Sequence, residues 1–303
     1  MSNQKFGGII LNPLCSNRCV FCGNIPIKTS DVEIKQQKIK VYKNLIDLKN
    51  QGIKKIEISG GDPLEYDEIV LLIKHIKKMG FEFVQLSTNG VRLSNESFLN
   101  KLASSGVDKL RIPLYGSNAE VHDSVTRTKG SFDATFNGIK RLLEKSSNIE
   151  IQISCLIVNQ NKDNLIELVD LVKGLGITDF YFSIPCVAYN DYSFYIPSKN
   201  LGPYAKDVFN YGLKINYNIQ FMEIPYCVFG RIDESINNSC GPPNLGKHCQ
   251  PSEKFRTSIK DLPSYRIKRK VDMCNSCKAS SFCDGFFVND IDKFGVGDLK
   301  PIL

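Results

Sequence analysis

Cys15, Cys19 and Cys22, in the stretch LCSNRCVFCGN, are the residues best equipped to do chemistry. Their C-x-x-x-C-x-x-C spacing crowds three soft sulfur ligands into one short loop. Three thiolates can hold three irons of a 4Fe-4S cluster and leave the fourth iron open to another molecule. A structural zinc knot and three buried free thiols are the plainer alternatives. Zinc wants a fourth ligand, and no Cys or His lies within the fifty residues after Cys22. A second set of six cysteines falls between residues 227 and 283. Four thiolates suffice to close a second cluster; a zinc site built on Cys274, Cys277, Cys283 and one more cysteine is the rival.

Two turn motifs have chemistry to offer besides the thiols. In Ser59-Gly60-Gly61-Asp62-Pro63 the two glycines let backbone N–H and C=O groups approach a ligand with no side chain between. Ser87-Thr88-Asn89-Gly90 presents hydroxyls and an amide that can line a cavity, while Asn89-Gly90 is equally a good turn.

The cysteine spacing, with the aromatic Phe21 just before the third thiol, resembles the signature of the radical S-adenosylmethionine (SAM) superfamily. The resemblance implies that the open iron chelates the amino and carboxylate groups of SAM. It also implies reductive cleavage to a 5'-deoxyadenosyl radical that takes hydrogen from an unactivated carbon. Gly60, Gly61 and Asp62 then correspond to the family's GGE-type loop for the SAM amino group, with Asp62 in the acidic place. Ser87 and Asn89 fall in the frequent S-T-N-G. Arg127, between His122-Asp123 and Lys129-Gly130-Ser131-Phe132, resembles the arginine that pairs with the SAM carboxylate in the subgroup with auxiliary clusters. A planar bidentate donor suits that role, and a surface arginine near a helix start is the other reading. Ile184, before Pro185, resembles the apolar residue that packs on adenine, although a core strand residue fits as well. No residue is assigned as a catalytic acid or base.

Cys227, Cys274, Cys277 and Cys283 resemble the auxiliary-cluster region called SPASM or, in its shorter form, Twitch. The full pattern has a further cysteine where Phe287 stands here, which points to one auxiliary cluster. Pro113 occupies the place where relatives commonly carry a serine facing SAM and supplies no hydroxyl. Cys240 and Cys249 either replace Cys227, bind a separate metal or are spare thiols. Cys155 and Cys186 lie in apolar strands and read as core; His75 and His248 read as structural or exposed.

The elements that must position these residues alternate regularly. GGIILNPL, KIEIS, FEFVQLS, KLRIPLY, EIQISCLIV and DFYFSIP read as strands. Amphipathic stretches follow them at Lys35 to Asn50, Tyr66 to Met79, Ser94 to Ser104, Phe132 to Leu143, Asn164 to Leu175 and Leu201 to Leu213. Six strand-helix units imply an α/β fold, a partial (β/α)6 TIM-like barrel whose active face lies at the carboxyl ends of the strands. Ser94 and Asn164 stand where helix caps are wanted, and Gly52, Gly80, Gly106 and Gly176 where a left-handed residue ends a helix. The barrel is predicted over residues 1–216 and a small cysteine-rich region, stapled by metal, over 217–303.

At 303 residues with 42% apolar content, the chain can bury one large core plus an appended region. No apolar signal segment precedes Gly7 and no long uncharged stretch occurs, so reduced thiols in a cytoplasm are expected. A net charge of +7 suits docking of an acidic reductant protein such as a flavodoxin or ferredoxin, or is a solvated lysine-rich surface. The run from Lys260 to Lys270 reads likewise, as a docking patch or a solvated loop. The lysines are not gathered with aromatic platforms, so no nucleic-acid partner is expected. The substrate is expected inside the barrel mouth. Peptide modification is the leading reading; dehydrogenation or rearrangement of a sugar, nucleoside or amino acid is the second. Peptide maturases often carry a winged leader-binding domain ahead of the barrel; only fourteen residues precede Cys15 here, which weakens the expectation of a peptide substrate without excluding it. A non-catalytic iron-sulfur electron carrier is the rival from another class.

Overall fold

The computed structural model describes residues 6–11, 14–22, 31–145, 148–186, 191–237 and 267–303. Cys240, His248, Cys249 and residues 260–266 of the basic run lie outside them. The chain forms two compact units, one of Met1–Leu114 with Asn118–Ile153, the other of Tyr115–Ser117 with Ser154–Leu303. This division follows packing, whereas the boundary expected at residue 216 follows the change in sequence pattern.

The first unit contains β1 (Phe6–Ile10), α1 (Asp31–Asn50), β2 (Lys55–Ser59), α2 (Ile69–Lys78), β3 (Phe83–Ser87), α3 (Glu96–Ala103), β4 (Lys109–Pro113), α4 (Ala119–Thr126) and α5 (Ser131–Glu144). Strand β5 (Glu150–Leu156) leads into the second unit. There follow α6 (Leu165–Gly174), β6 (Asp179–Ser183), α7 (Ser198–Lys214), β7 (Gln220–Met222), α8 (Tyr226–Phe229), β8 (Ile236–Asn237), β9 (Lys268–Arg269), β10 (Phe286–Phe287) and α9 (Val288–Phe294). Strands β1 to β8 follow one another in sheet order as they do in sequence. Pairing is parallel, as helical crossovers require. The α/β class and the partial-barrel reading are borne out. The sheet also continues beyond the six expected strands, because β7 and β8 are too short to register as periodic sequence.

Alternation along the strands explains what each face does. Ile56, Ile58, Val84, Leu86, Leu110 and Ile112 are fully buried, each contributing roughly 1.5–3 kcal/mol through removal from water. Polar residues take the intervening places. On β2 to β5 they form a network: Arg111 donates to Glu57 at 2.7 Å and to Gln152 at 2.7 Å, and the Ser87 hydroxyl donates to Glu57 at 2.8 Å. On β2 to β4 one side is therefore apolar and the other carries the hydrogen-bonded set.

Local capping differs from expectation in two places. Asn95, not Ser94, caps α3, its side chain accepting from Phe98 N–H at 3.0 Å. Ser94 lies in the preceding 3-10 turn (Val91–Ser94) and donates to the Val91 carbonyl. Asn164 does stand at the cap position of α6, but its side chain accepts from Ser117 N–H at 2.7 Å and donates to the Ser117 hydroxyl at 3.0 Å. The glycines after α1, α2, α3 and α6 have positive φ as expected. Helix α2 starts later than the periodicity suggests, because Asp62 and Pro63 open a separate 3-10 turn ahead of it.

Replacing a bonded Asn cap by Ala costs about 1 kcal/mol. Asn95→Ala is therefore expected to lower the urea midpoint clearly and Ser94→Ala to lower it less; the reverse order would contradict the cap assignment.

Candidate functional site

The cysteine loop has no helix or strand of its own and is shaped by what it bonds to. It leaves β1 through Leu11, whose N–H continues the ladder to the Ser59 carbonyl at 2.8 Å. The Leu14 carbonyl accepts from Asp62 N–H at 2.6 Å. Arg18 and Val20 donate their N–H groups to the carbonyls of Thr126 and Val125 at 2.9 Å each. Those are terminal carbonyls of α4, which have no partner within the helix. Cys22 N–H closes a turn on the Cys19 carbonyl at 3.0 Å.

Asp62 joins the glycine loop to the S-T-N-G turn. Its Oδ1 accepts from Leu64 N–H at 2.8 Å and the Thr88 hydroxyl at 2.7 Å, and its Oδ2 from Asn89 N–H at 2.8 Å. With 1% of its surface exposed, the carboxyl is pushed up to about 6 by burial, against the pull of these donors. Gly60 has φ +136, and a Cβ there would lie 2.7 Å from the Leu11 carbonyl oxygen, so this close approach admits no side chain. Gly90 has φ +76, and a Cβ would press on Ile112 at 2.9 Å. The Asn89-Gly90 turn is thus real, and Asn89 also reaches the cysteine loop, donating to the Ser16 hydroxyl at 2.9 Å and approaching Cys15 Sγ at 3.6 Å.

Arg127 ends α4 in a left-handed conformation, φ +52, a cost of roughly 1–2 kcal/mol for a non-glycine residue. Asp123 holds the chain there, accepting from Gly130 N–H at 2.6 Å, the Ser131 hydroxyl at 2.8 Å and Phe132 N–H at 2.9 Å. Burial works against ionisation of Asp123, but these donors and neighbouring His122 outweigh it and keep the carboxyl below its ordinary range. The turn carrying Arg127 therefore sits next to the two carbonyls that fasten the cysteine loop. His122 is buried and edge-on to Phe132; burial lowers it to about 4, which keeps it neutral near pH 7.

The thiols themselves test the fit of a metal centre. Burial pushes Cys19 up to about 12, and repulsion from Cys22 and then Cys15 adds to it. Cys15 is raised by burial, with Asp62 and Cys22 adding to the rise against its hydrogen bonds. Half-buried Cys15 and Cys19, raised in this way, become thiolates readily only beside positive charge, which a metal centre supplies. Among the described residues no three Cys, His, Asp or Glu side chains converge as a ready site for a single metal ion. A polynuclear cluster instead takes its sulfurs spread around several irons, and the donor chemistry fits it.

In the second unit, Cys227 on α8 and Cys274, Cys277 and Cys283 line one cavity together with Tyr226, Met273 and Phe286. Burial pushes Cys227 up to about 12, with Cys283, Cys274 and Cys277 adding repulsion in that order. The cavity gathers these four residues. Lys268, Arg269 and Lys270 of the basic run are bonded within this unit, to the Glu223 carbonyl, the Asp292 carboxylate and the Ser280 carbonyl.

The structure thus gathers the cysteine triplet, Gly60, Gly61, Asp62, Asn89 and Arg127 around linked loops of the first unit. The Ser87 hydroxyl is engaged by Glu57. Phe21 is half-buried. Ile184 follows β6 in the second unit and is 2% exposed. Cys155 is a core thiol as expected, taking a bond from Asn161 at 3.4 Å, and His75 is exposed, edge-on to Tyr42. Sequence reasoning missed the bond from Thr88 to Asp62, the clamp by Asp123, and the Glu57, Arg111 and Gln152 network. The last was signalled by single polar residues at alternate places in KIEIS, KLRIP and EIQIS.

A family model described as the radical SAM superfamily matches residues 9–172. A "Probable GTP 3',8-cyclase" of Saccharolobus islandicus is 22% identical over 173 residues, covering 57% of this chain and 54% of the relative. An "AdoMet-dependent heme synthase" of Methanosarcina barkeri is 29% identical over 174 residues, covering 56% and 48%. The chain spans about half the length of the curated relatives it matches. Streptococcus suis SuiB, solved bound to its precursor peptide SuiA, aligns with a TM-score of 0.63 at 18% identity over 96% of this chain and 73% of its own. Its S-adenosylmethionine-bound form aligns with a TM-score of 0.61 at 17% identity over 97% and 76%. At such identities the likeness is one of fold.

Folding favours the neutral form of Asp62, whose value of about 6 lies above the ordinary 3.8. The native state then binds more protons than the unfolded chain between these values. The stability so contributed is full below about pH 4 and is lost as pH rises through about 6, on the order of 3 kcal/mol at most. Urea midpoints of the wild type minus those of Asp62→Asn should fall over that window; parallel curves would refute the burial cost assigned to this carboxyl.

Proposed function

The chain belongs to the radical SAM superfamily, and from that membership we propose an enzyme in which Cys15, Cys19 and Cys22 hold the 4Fe-4S cluster that the family implies. The observation that carries this assignment is the threefold fastening of their loop, to Asp62 N–H, to the end of α4 and to Asn89. When bound, cluster and SAM together supply a 5'-deoxyadenosyl radical able to take hydrogen from an unactivated carbon. The chain's own residues bind and orient. Gly60 and Gly61 offer bare backbone to the SAM amino group, and Asp62 ties that loop to the S-T-N-G turn. Arg127, held by the Asp123 clamp, offers its guanidinium to the carboxylate. Phe21, Ser87 and Asn89 complete the proposed surroundings of SAM in the first unit.

We assign Cys227, Cys274, Cys277 and Cys283 to a second 4Fe-4S cluster in a SPASM/Twitch-like region over residues 217–303, following the core over 1–216. Their shared cavity and mutual repulsion support it. The proposed reaction is oxidative modification of a peptide, as in ribosomal peptide maturation. The likeness to the fold of SuiB, a protein solved with a precursor peptide, supports a peptide substrate. The names of the curated relatives, a cyclase and a heme synthase, favour a small metabolite as the second reading. A flavodoxin or ferredoxin is the proposed reductant and the cytoplasm the proposed compartment. The nine described cysteines are all free thiols, and no helix among the described residues is long and apolar enough to cross a membrane.

Reduced, reconstituted protein given SAM is expected to form 5'-deoxyadenosine, and Cys15→Ala, Cys19→Ala or Cys22→Ala to abolish it. Unchanged SAM beside an intact, reducible cluster would favour an electron carrier instead. Iron analysis should find about eight irons per chain, falling to about four in Cys274→Ala/Cys277→Ala with the first cluster retained. About four in the wild type would remove the second cluster. Candidate peptides and small metabolites, offered separately, divide the two substrate readings by which one loses hydrogen.

A further inference from the structure

We propose, given the assignment of Cys15, Cys19 and Cys22 to the first cluster made above, that Asn89 is a positioning residue that sets how readily this cluster takes up an electron, through an amide hydrogen bond to the Cys15 sulfur. Asn89 Nδ2 lies 3.6 Å from Cys15 Sγ and 2.9 Å from Ser16 Oγ, so its two hydrogens have separate acceptors. The amide cannot be turned round. Its Oδ1 accepts from Val91 N–H at 2.9 Å, and exchanging oxygen for nitrogen would set two donors against each other. The main chain of Asn89 is held as firmly, its N–H by Asp62 at 2.8 Å and its carbonyl by the Thr135 hydroxyl at 2.9 Å. Every polar atom of the residue is engaged, and the hydrogen aimed at sulfur is fixed by the other contacts.

Cys15 also receives the backbone N–H of Asn17, so two donors converge on this sulfur. An added electron spreads negative charge onto the ligating sulfurs. A donor already pointing at one of them stabilises the reduced form more than the oxidised form and raises the potential. The S-T-N-G segment then has two separable jobs: Gly90 makes the turn, and the side chain of Asn89 tunes the metal centre.

Wild type, Asn89→Leu, Asn89→Ser and Ser16→Ala are reconstituted anaerobically as full chains and their iron is counted. Each is then titrated potentiometrically, the first cluster being followed as the paramagnetic signal that changes when SAM is added. Leu matches Asn in size without a donor, and Ser is too short to reach the sulfur; both should shift the midpoint to more negative potential. Ser16→Ala breaks the neighbouring bond but spares the one to sulfur and should titrate like the wild type. Equal midpoints in the wild type and the Asn89 variants would overturn the proposal. So would a Ser16→Ala shift as large as that of Asn89→Leu, which would mean that loop placement and not the sulfur bond is responsible. Failure of both Asn89 variants to hold iron that the wild type holds would also overturn it, since the residue would then serve assembly. A wild type without the SAM-sensitive signal would overturn the cluster assignment itself, a failure visible before any variant is compared.

Discussion

A loop with no regular structure keeps one shape only if its backbone groups find rigid partners, and residues 14–22 find them on three neighbouring segments. The carbonyl of Leu14 meets the glycine loop, the amides of Arg18 and Val20 meet the open end of α4, and Ser16 meets Asn89. Each of these partners is itself fixed at the end of a strand or helix. Parallel register keeps them level, since Ile10 lies opposite Ser59 and Ile58 opposite Leu86. Adjacent strands are about 4.8 Å apart, so the loops that leave them share one edge at a spacing set by the sheet. The sulfurs are held by the ladder although none of them lies in it.

A second constraint follows from burial. Strands β2 to β4 carry apolar residues on one side and a connected polar set on the other, which reaches Gln152 on β5. A buried polar group without a partner costs more than the bond would contribute, so Glu57 needs Arg111 and Ser87, and Arg111 needs Gln152. The strands beneath the site are thereby ordered by side-chain bonds as well as by the ladder. Asp62 applies the same rule one level higher, where a single carboxylate satisfies donors from two loops.

Much of this was legible in sequence because it depends on local spacing. The thiol triplet, KIEIS as a strand, and the glycines that end helices each follow from residue type at a fixed offset. What escaped depends on contacts between distant segments. Nothing in the vicinity of Asn164 says that its amide will hold Ser117 instead of capping its own helix. The preference for Asn95 over Ser94 turns on where a 3-10 turn ends, a matter of one residue. Asp62 stood out as an acidic ligand candidate, but its burial and its three donors emerge only when β2 and β3 are laid side by side. Cys274, Cys277 and Cys283 lie close in sequence, whereas Cys227 is far from them along the chain and meets their cavity through the path of α8.

Gly60 has a consequence for anyone redesigning this chain. Because the Leu11 carbonyl fills the space where a side chain would begin, residue 60 is closed to substitution, and a randomised library that includes it spends most members on misfolded protein. Gly8 and Gly130 have open space at the same point. At Gly8, which lacks the positive φ of Gly130, diversity is tolerable. The scaffold thus marks, glycine by glycine, where variation is compatible with intact loops.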